Sequence, residues 1–198
     1  MNDQQWDKKL KIQTVGRDAS QSDAYRYPYE PTDYVVLQRL ADSGLITREN
    51  ILVDYGCGKG RVSFFLNHIL GCTTIGVEYD SRVYAAALEN LRNYGGDRIM
   101  FVCTNAENFE VDHADCFYFF NPFSLEVLQT VYARILESYY CKLNARKLFF
   151  YYPSDAYVSW LMSRPELQFL QEIDCRDLFP SPSDRERILV FELPDFNG

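Results

Sequence analysis

Along the chain, short runs of apolar and β-branched residues alternate with stretches whose apolar positions recur every three to four residues. That is the pattern of a parallel sheet covered by helices on both faces. The runs predict seven strands, at 51–55, 73–78, 99–103, 115–120, 147–152, 168–174 and 187–193. Helices are predicted near 33–43, 60–70, 81–94, 124–139 and 154–163. In the first of them Val36, Leu37, Leu40 and Ala41 share a face, Thr32 is the expected N-cap and Gly44 the stop. The helix over 81–94 opens with Asp80 or Ser81 as cap and ends at Gly95-Gly96, where glycine accepts the positive φ of a C-cap. Turn residues at 178–184 join the last two strands as an antiparallel hairpin. The expected fold is a doubly wound α/β sheet, mostly parallel with an antiparallel final strand. Ligands of such sheets bind beyond the carboxyl ends of the strands.

A length of 198 residues fits one domain. Twenty Lys and Arg against twenty-eight Asp and Glu leave a net charge of −8. Stable nucleic-acid binding calls for a basic face, so it is disfavoured. No apolar run reaches the ~20 residues of a membrane span. The opening MNDQQWDKKLKIQ has charges without a following apolar segment, so a cytoplasmic location is expected. The cysteines at 57, 72, 103, 116, 141 and 175 are scattered singly, and His68 and His113 are the sole imidazoles. Reduced thiols fit that pattern, whereas a disulfide framework and a structural metal do not. Nothing in the sequence indicates an oligomeric state.

The chemistry gathers where the predicted strands end. After the first strand comes Asp54-Tyr55-Gly56-Cys57-Gly58-Lys59-Gly60, leading straight into a helix. A tight turn without Cβ atoms lets backbone N–H groups and a helix N-terminus approach a polar ligand closely. The spacing is G-x-G-x-G, which departs from the G-x-G-x-x-G of dinucleotide sites and from the P-loop, so a nucleotide-binding oxidoreductase fits poorly. Glu78 ends the second strand twenty-four residues after Asp54, where an acidic side chain can accept both hydroxyls of a ribose. The third strand leads into Asn105-Ala106-Glu107, and the fourth into Asn121-Pro122-Phe123.

In this order the motifs resemble those of the class I S-adenosylmethionine-dependent methyltransferases: VDYGCGKG is similar to their first, IGVEYD to the second, NAEN to the third and FFNPF to the fourth. The resemblance spans roughly residues 33–193 and implies a Rossmann-like sheet with S-adenosyl-L-methionine as cofactor. It implies that Asp54, Gly56, Cys57, Gly58 and Gly60 wrap the methionine part, and that Glu78 holds the ribose. Tyr79 would lie against the adenine face, with Asn105, Ala106 and Glu107 at its edge. Asn121 would face the methyl donor as both cofactor ligand and catalytic orienter.

Asn121-Pro122-Phe123 is similar to the N-P-P-Y turn with which amino- and amide-directed methyltransferases hold a planar nitrogen, but the second proline is missing and Phe123 comes one position early. Before the first strand, residues 25–34 carry four tyrosines and two prolines. Residues 1–32 are accordingly expected to form an arm or lid over a catalytic domain at 33–198. Within it Tyr29 and Thr32 are candidate cofactor ligands, with Thr32 suited to the methionine carboxylate at a helix N-terminus. An acidic-then-Thr segment of this kind resembles the cofactor cover of histone-lysine methyltransferases that lack a SET domain. The expected activity is methyl transfer to a protein, peptide or small molecule, with a protein lysine or amide nitrogen leading. The alternative is a cofactor-binding scaffold without turnover.

Overall fold

The computed structural model describes residues 1–16, 30–111 and 113–195. Among these residues the elements follow as α1 (Asp3–Leu10), α2 (Tyr34–Asp42), β1 (Ile51–Tyr55), α3 (Arg61–Leu70), β2 (Thr73–Glu78), α4 (Ser81–Tyr94), β3 (Ile99–Cys103), β4 (Cys116–Phe119), α5 (Leu125–Cys141), β5 (Arg146–Tyr151), α6 (Asp155–Met162), β6 (Gln168–Asp174) and β7 (Arg187–Leu193). The strands form one sheet in the order β3-β2-β1-β4-β5-β7-β6. Strands β1 to β5 pair in parallel, and β7 runs antiparallel between β5 and β6. This is the expected doubly wound, Rossmann-like sheet. The chain moves outward from β1 to β3 and then crosses back to β4, so β1 and β4 flank the point where a crevice opens.

Alternation of side chains along the strands divides the core in two. Leu52, Tyr118, Phe149 and Val190 pack with α1 to α4. Val53, Tyr55, Phe119, Phe150 and Leu189 pack with α5 and α6. On that second face Tyr55, Phe119 and Phe150 stack across three neighbouring strands, with centroids 5.1 and 4.7 Å apart and planes inclined by 10° and 7°. Register aligns Tyr55 with Val77 on one side and Phe119 on the other. The residues that follow each of them, Gly56, Glu78 and Phe120, therefore emerge at the same edge.

Helix α1 is absent from the sequence expectation. Its octet carries only Trp6 and Leu10 as large apolar residues, one i, i+4 pair and too little to raise a periodic signal. The helix is fixed by its ends and its packing. Asn2 and Gln5 form a reciprocal capping box, and Trp6 meets Phe65 edge-on at 4.9 Å. Trp6, Leu10 and Ile12 join the main core, so this part of the expected arm packs as one body with the sheet. Tyr29 lies outside the described residues.

One cap differs from expectation. The residue preceding α2 is Asp33, without a side-chain cap bond, because the Thr32 hydroxyl is engaged with the Tyr118 phenol at 3.0 Å. Asp80 does cap α4, accepting from the Arg82 N–H, and Gly95 ends it in the left-handed region. All six cysteines are free thiols. No helix among the described residues is long and apolar enough to cross a membrane.

Candidate cofactor and acceptor site

A cavity of about 630 Å³ opens at the carboxyl ends of β1, β2, β4 and β5, a size usual for small-molecule sites. The glycine loop forms one wall. Gly56 and Cys57 both donate their N–H groups to the Val77 carbonyl, at 2.9 and 3.1 Å, which clamps the loop to β2. Gly56 takes φ +73°, and a Cβ there would stand 2.7 Å from Pro122 Cβ. The absent side chain of Gly56 thus lets the Asn121-Pro122 turn close against the loop.

Glu78 lines the cavity with both carboxylate oxygens engaged. Gly58 N–H donates to Oε2 at 3.0 Å and Asp80 N–H to Oε1 at 2.9 Å. Burial raises its pKa, partly offset by the backbone donors of Asp80, Gly58 and Tyr79. The carboxylate keeps acceptor capacity on its cavity side for a ribose hydroxyl. Tyr79, Asn105, Ala106 and Glu107 line the same cavity beyond β2 and β3. Cys57 also lines it, but burial, with Asp54 and Glu78 nearby, pushes its thiol well above the ordinary range. That favours a protonated, packed thiol over a thiolate.

Three of the expected loop residues stand away from the cavity wall. Gly58 is buried behind it and acts on Glu78. Gly60 caps α3 at φ +89°, and a Cβ there would meet Phe101 at 2.5 Å, so its bareness serves packing. Asp54 is 3% exposed and its Oδ2 has no hydrogen-bond partner. Burial and the neighbouring Glu78 raise its pKa to about 8. Thr32 does line the cavity, but its hydroxyl pairs with Tyr118 and its carbonyl accepts from Arg61 at 3.2 Å.

Asn121 sits between the two halves of the cavity wall in the left-handed region, at φ +42°. Its Oδ1 is buried without a partner. A strained, unpaired polar group of this kind costs about 1–3 kcal/mol, and such groups cluster at functional sites. Phe123, which comes one position early for the aromatic of an N-P-P-Y turn, packs edge-on against Phe119 at 6.2 Å, and its carbonyl accepts from the Tyr157 hydroxyl at 2.6 Å.

Beside Phe120, which belongs to the FFNPF motif, the far wall comes from residues that no motif contains: Tyr118, Tyr151, Tyr152, Arg185 and Glu186. Phe120 lies 4.7 Å from Tyr151 and 6.4 Å from Tyr152, centroid to centroid. Tyr151 donates to Glu186 Oε2 at 2.6 Å. Arg185 donates to the carbonyls of Tyr152 and Pro153 at 3.0 and 2.9 Å and lies 4.4 Å over the Tyr152 ring. Glu30 and Asp33 complete this end. Burial raises the pKa of Asp33, and Asp3, Glu186 and Glu30 repel its charge while Arg61 relieves it. The signal available in the sequence was positional: these residues end or follow β4 and β5, or precede β7, at the ligand-binding edge.

Comparison with known proteins agrees with this geometry. Residues 52–144 match the family model of the methyltransferase domain. A search of the curated proteins finds no match. Among solved structures, an RNA methyltransferase from Salinibacter ruber in complex with S-adenosyl-L-homocysteine is similar with a TM-score of 0.62 at 14% identity, covering 84% of this chain and 95% of its own. An rRNA methylase from Streptococcus thermophilus gives 0.55 at 13% identity, over 81% and 94% of the two chains. A protein of the NADB-Rossmann superfamily from Streptococcus agalactiae gives 0.61 at 18%, over 86% and 72%. Likeness at these identities concerns the fold. Residues 52–144 are thus similar to a methyltransferase domain, in agreement with the class I resemblance of the ordered motifs. The site fits S-adenosyl-L-methionine, the cofactor that the motifs imply: a doubly anchored carboxylate for the ribose and an unpaired buried Asn121 oxygen.

Proposed function

We propose that this protein methylates a cationic amine, with the lysine side chain of a basic protein as the leading acceptor. The observation that carries the reading is the wall beside Asn121. There Phe120, Tyr151 and Tyr152 offer aromatic surface, while Glu186 and Asp33 offer carboxylates whose mutual repulsion a cation relieves. Aromatic faces and carboxylates together recognise an ammonium group. Arg185 keeps its charge, but two backbone carbonyls and the Tyr152 ring fix where its guanidinium lies. A net charge of −8 steers lysine-rich partners toward the molecule.

When bound, the cofactor supplies a methyl group already activated by a positive sulfur. The chain's own contribution is positioning. Asn121 Oδ1 accepts an N–H of the incoming amine and fixes its direction. Glu186, bridged to Tyr151, and the raised Asp33 stand ready to take the proton that an ammonium must lose before it can attack.

The test is transfer from methyl-labelled cofactor to a lysine-rich protein, to peptide amides and to structured RNA. Label on lysine nitrogen, lost in Glu186→Gln, supports the reading. Label on RNA with none on lysine overturns it, and cofactor binding without transfer to any acceptor makes the protein a scaffold.

A further inference from the structure

Arg61 opens the ten-residue helix α3 directly after the glycine loop, lines the cavity, and is only 2% exposed. A buried guanidinium carries five donors that need acceptors. Nε donates to Thr14 Oγ1 at 2.7 Å. Nη1 donates to Asp3 Oδ2 at 2.5 Å and to the Thr32 carbonyl at 3.2 Å. The plane of the group lies 4.5 Å over the Tyr34 ring. Nη2 is buried and has no acceptor.

The rest of the group is held in place from the N-terminal segment. Asp7 accepts from the Thr14 N–H at 2.6 Å, the Thr14 hydroxyl at 2.7 Å and the Tyr34 hydroxyl at 2.6 Å. Thr14 is thereby fixed as the partner of Nε, and Tyr34 as the ring beneath the guanidinium. The unsatisfied donor is thus preorganised, and it adjoins the positive end of the α3 dipole. Both features call for an anion. The acceptor proposed above is a cation and has none to offer. The methyl donor has one, the carboxylate of its methionine moiety, and Thr32, the residue expected to receive it, is already engaged by Tyr118.

We infer that Arg61 Nη2 anchors the methionine carboxylate of the cofactor, and that Asp3, Asp7 and Thr14 position it for this role. The inference rests on the cofactor assignment. It makes cofactor affinity depend on the first fourteen residues, which lie outside the span matched by the methyltransferase-domain model.

Calorimetric titration of the full chain with two ligands tests it: S-adenosyl-L-homocysteine, and its decarboxylated counterpart, identical but for the missing carboxylate. The expected result is that the wild type binds the decarboxylated ligand about ten- to a hundredfold more weakly, the range of a charge-assisted hydrogen bond. In Arg61→Gln that difference between ligands disappears, and Arg61→Lys restores part of it. Asp3→Asn, which leaves Arg61 present but loosely held, narrows the difference without abolishing it. Equal wild-type affinity for the two ligands overturns the inference, with no variant needing to fold. So does an Arg61→Gln protein that loses the same factor for both. Failure of the wild type to bind either ligand overturns the cofactor assignment itself.

Discussion

The backbone N–H of Gly58 donates to Glu78 Oε2 at 3.0 Å, so the glycine loop after β1 and the acid ending β2 are one hydrogen-bonded unit. Gly58 takes φ +57° to bring its N–H there. The sequence reading gave this glycine a place against the methionine moiety; in the structure it acts through Glu78 instead. Removing the carboxylate therefore has two effects. Glu78→Ala loses the ribose acceptor and leaves the Gly58 and Asp80 N–H groups unmatched, at about 1–3 kcal/mol for each buried donor. Both cofactor affinity and the urea midpoint are expected to fall. Gly58→Ala, which forces a side chain into the left-handed region at roughly 1–2 kcal/mol, is expected to lower affinity through a displaced Glu78. Unchanged affinity in a folded Gly58→Ala protein would separate the loop from the ribose site.

Gly56 is expected to matter more for turnover than for cofactor binding. A methyl group at Gly56 would stand 2.7 Å from Pro122 Cβ, so the Asn121-Pro122 turn must retreat to admit it. In Gly56→Ala the expected outcome is a turnover number down by about tenfold or more, since small misplacement of a reacting group is costly. Affinity for S-adenosyl-L-homocysteine should change less. Gly60→Ala makes the control, because its methyl would meet Phe101 and Phe64 at 2.5 and 2.8 Å. That variant is expected to lose thermal stability first. Reversal of the two behaviours would mean that Gly60, not Gly56, borders the reacting groups.

Asn121 combines a left-handed backbone at φ +42° with a buried, unpaired Oδ1. Asn121→Ala keeps the strain and removes the oxygen, so turnover is expected to fall by about ten- to a hundredfold, the worth of one hydrogen bond to a charged group. Asn121→Gly relieves the strain as well, and should melt no lower than the wild type while sharing the loss of turnover. Initial rates beside titration with S-adenosyl-L-homocysteine separate the roles. Equal loss of affinity and rate in both variants would make Asn121 a cofactor ligand alone.

Much of this organisation was legible in the sequence. Strands β1, β2, β3, β6 and β7 lie at their expected limits, because Gly, Asn and Asp punctuate strongly periodic runs. Strand β4 starts one residue late because Asp115 turns its carboxylate to the Ile51 N–H at 3.0 Å, a contact with no local signal. That Gly56, Cys57, Glu78, Tyr79 and Asn105 line one cavity was readable, since they belong to contiguous motifs. The opposite wall was not, because Tyr151 and Glu186 meet Phe120 only through strand pairing across the sheet. Arg61 illustrates the limit best. It stands next to the glycine motif, yet its significance depends on Asp3 and Thr14, more than forty residues away.

Asp54 gives the protein a stability that depends on pH with a definite sign. Its pKa in the fold is raised to about 8, first by burial and then by Glu78, against an ordinary value of ~3.9 in the unfolded chain. Below both values the carboxyl is protonated in either state and its contribution is fully present. As pH rises between them the unfolded chain gives up the proton and the folded one keeps it, so stability falls by at most about 1.4 kcal/mol per pH unit. Above both the loss is complete and the curve levels. Glu78, also raised by burial, adds a loss of the same sign. In Asp54→Asn the Asp54 share is gone while the Glu78 share remains. Urea unfolding of the cofactor-free protein from about pH 5 to about pH 9 is therefore expected to show the variant gaining on the wild type as pH rises, with the gap constant beyond the folded pKa. Parallel curves for the two proteins would mean that Asp54 is ionised in the fold. Its Oδ2, unpaired in the structure, would then have to find a donor when the cofactor cleft is empty.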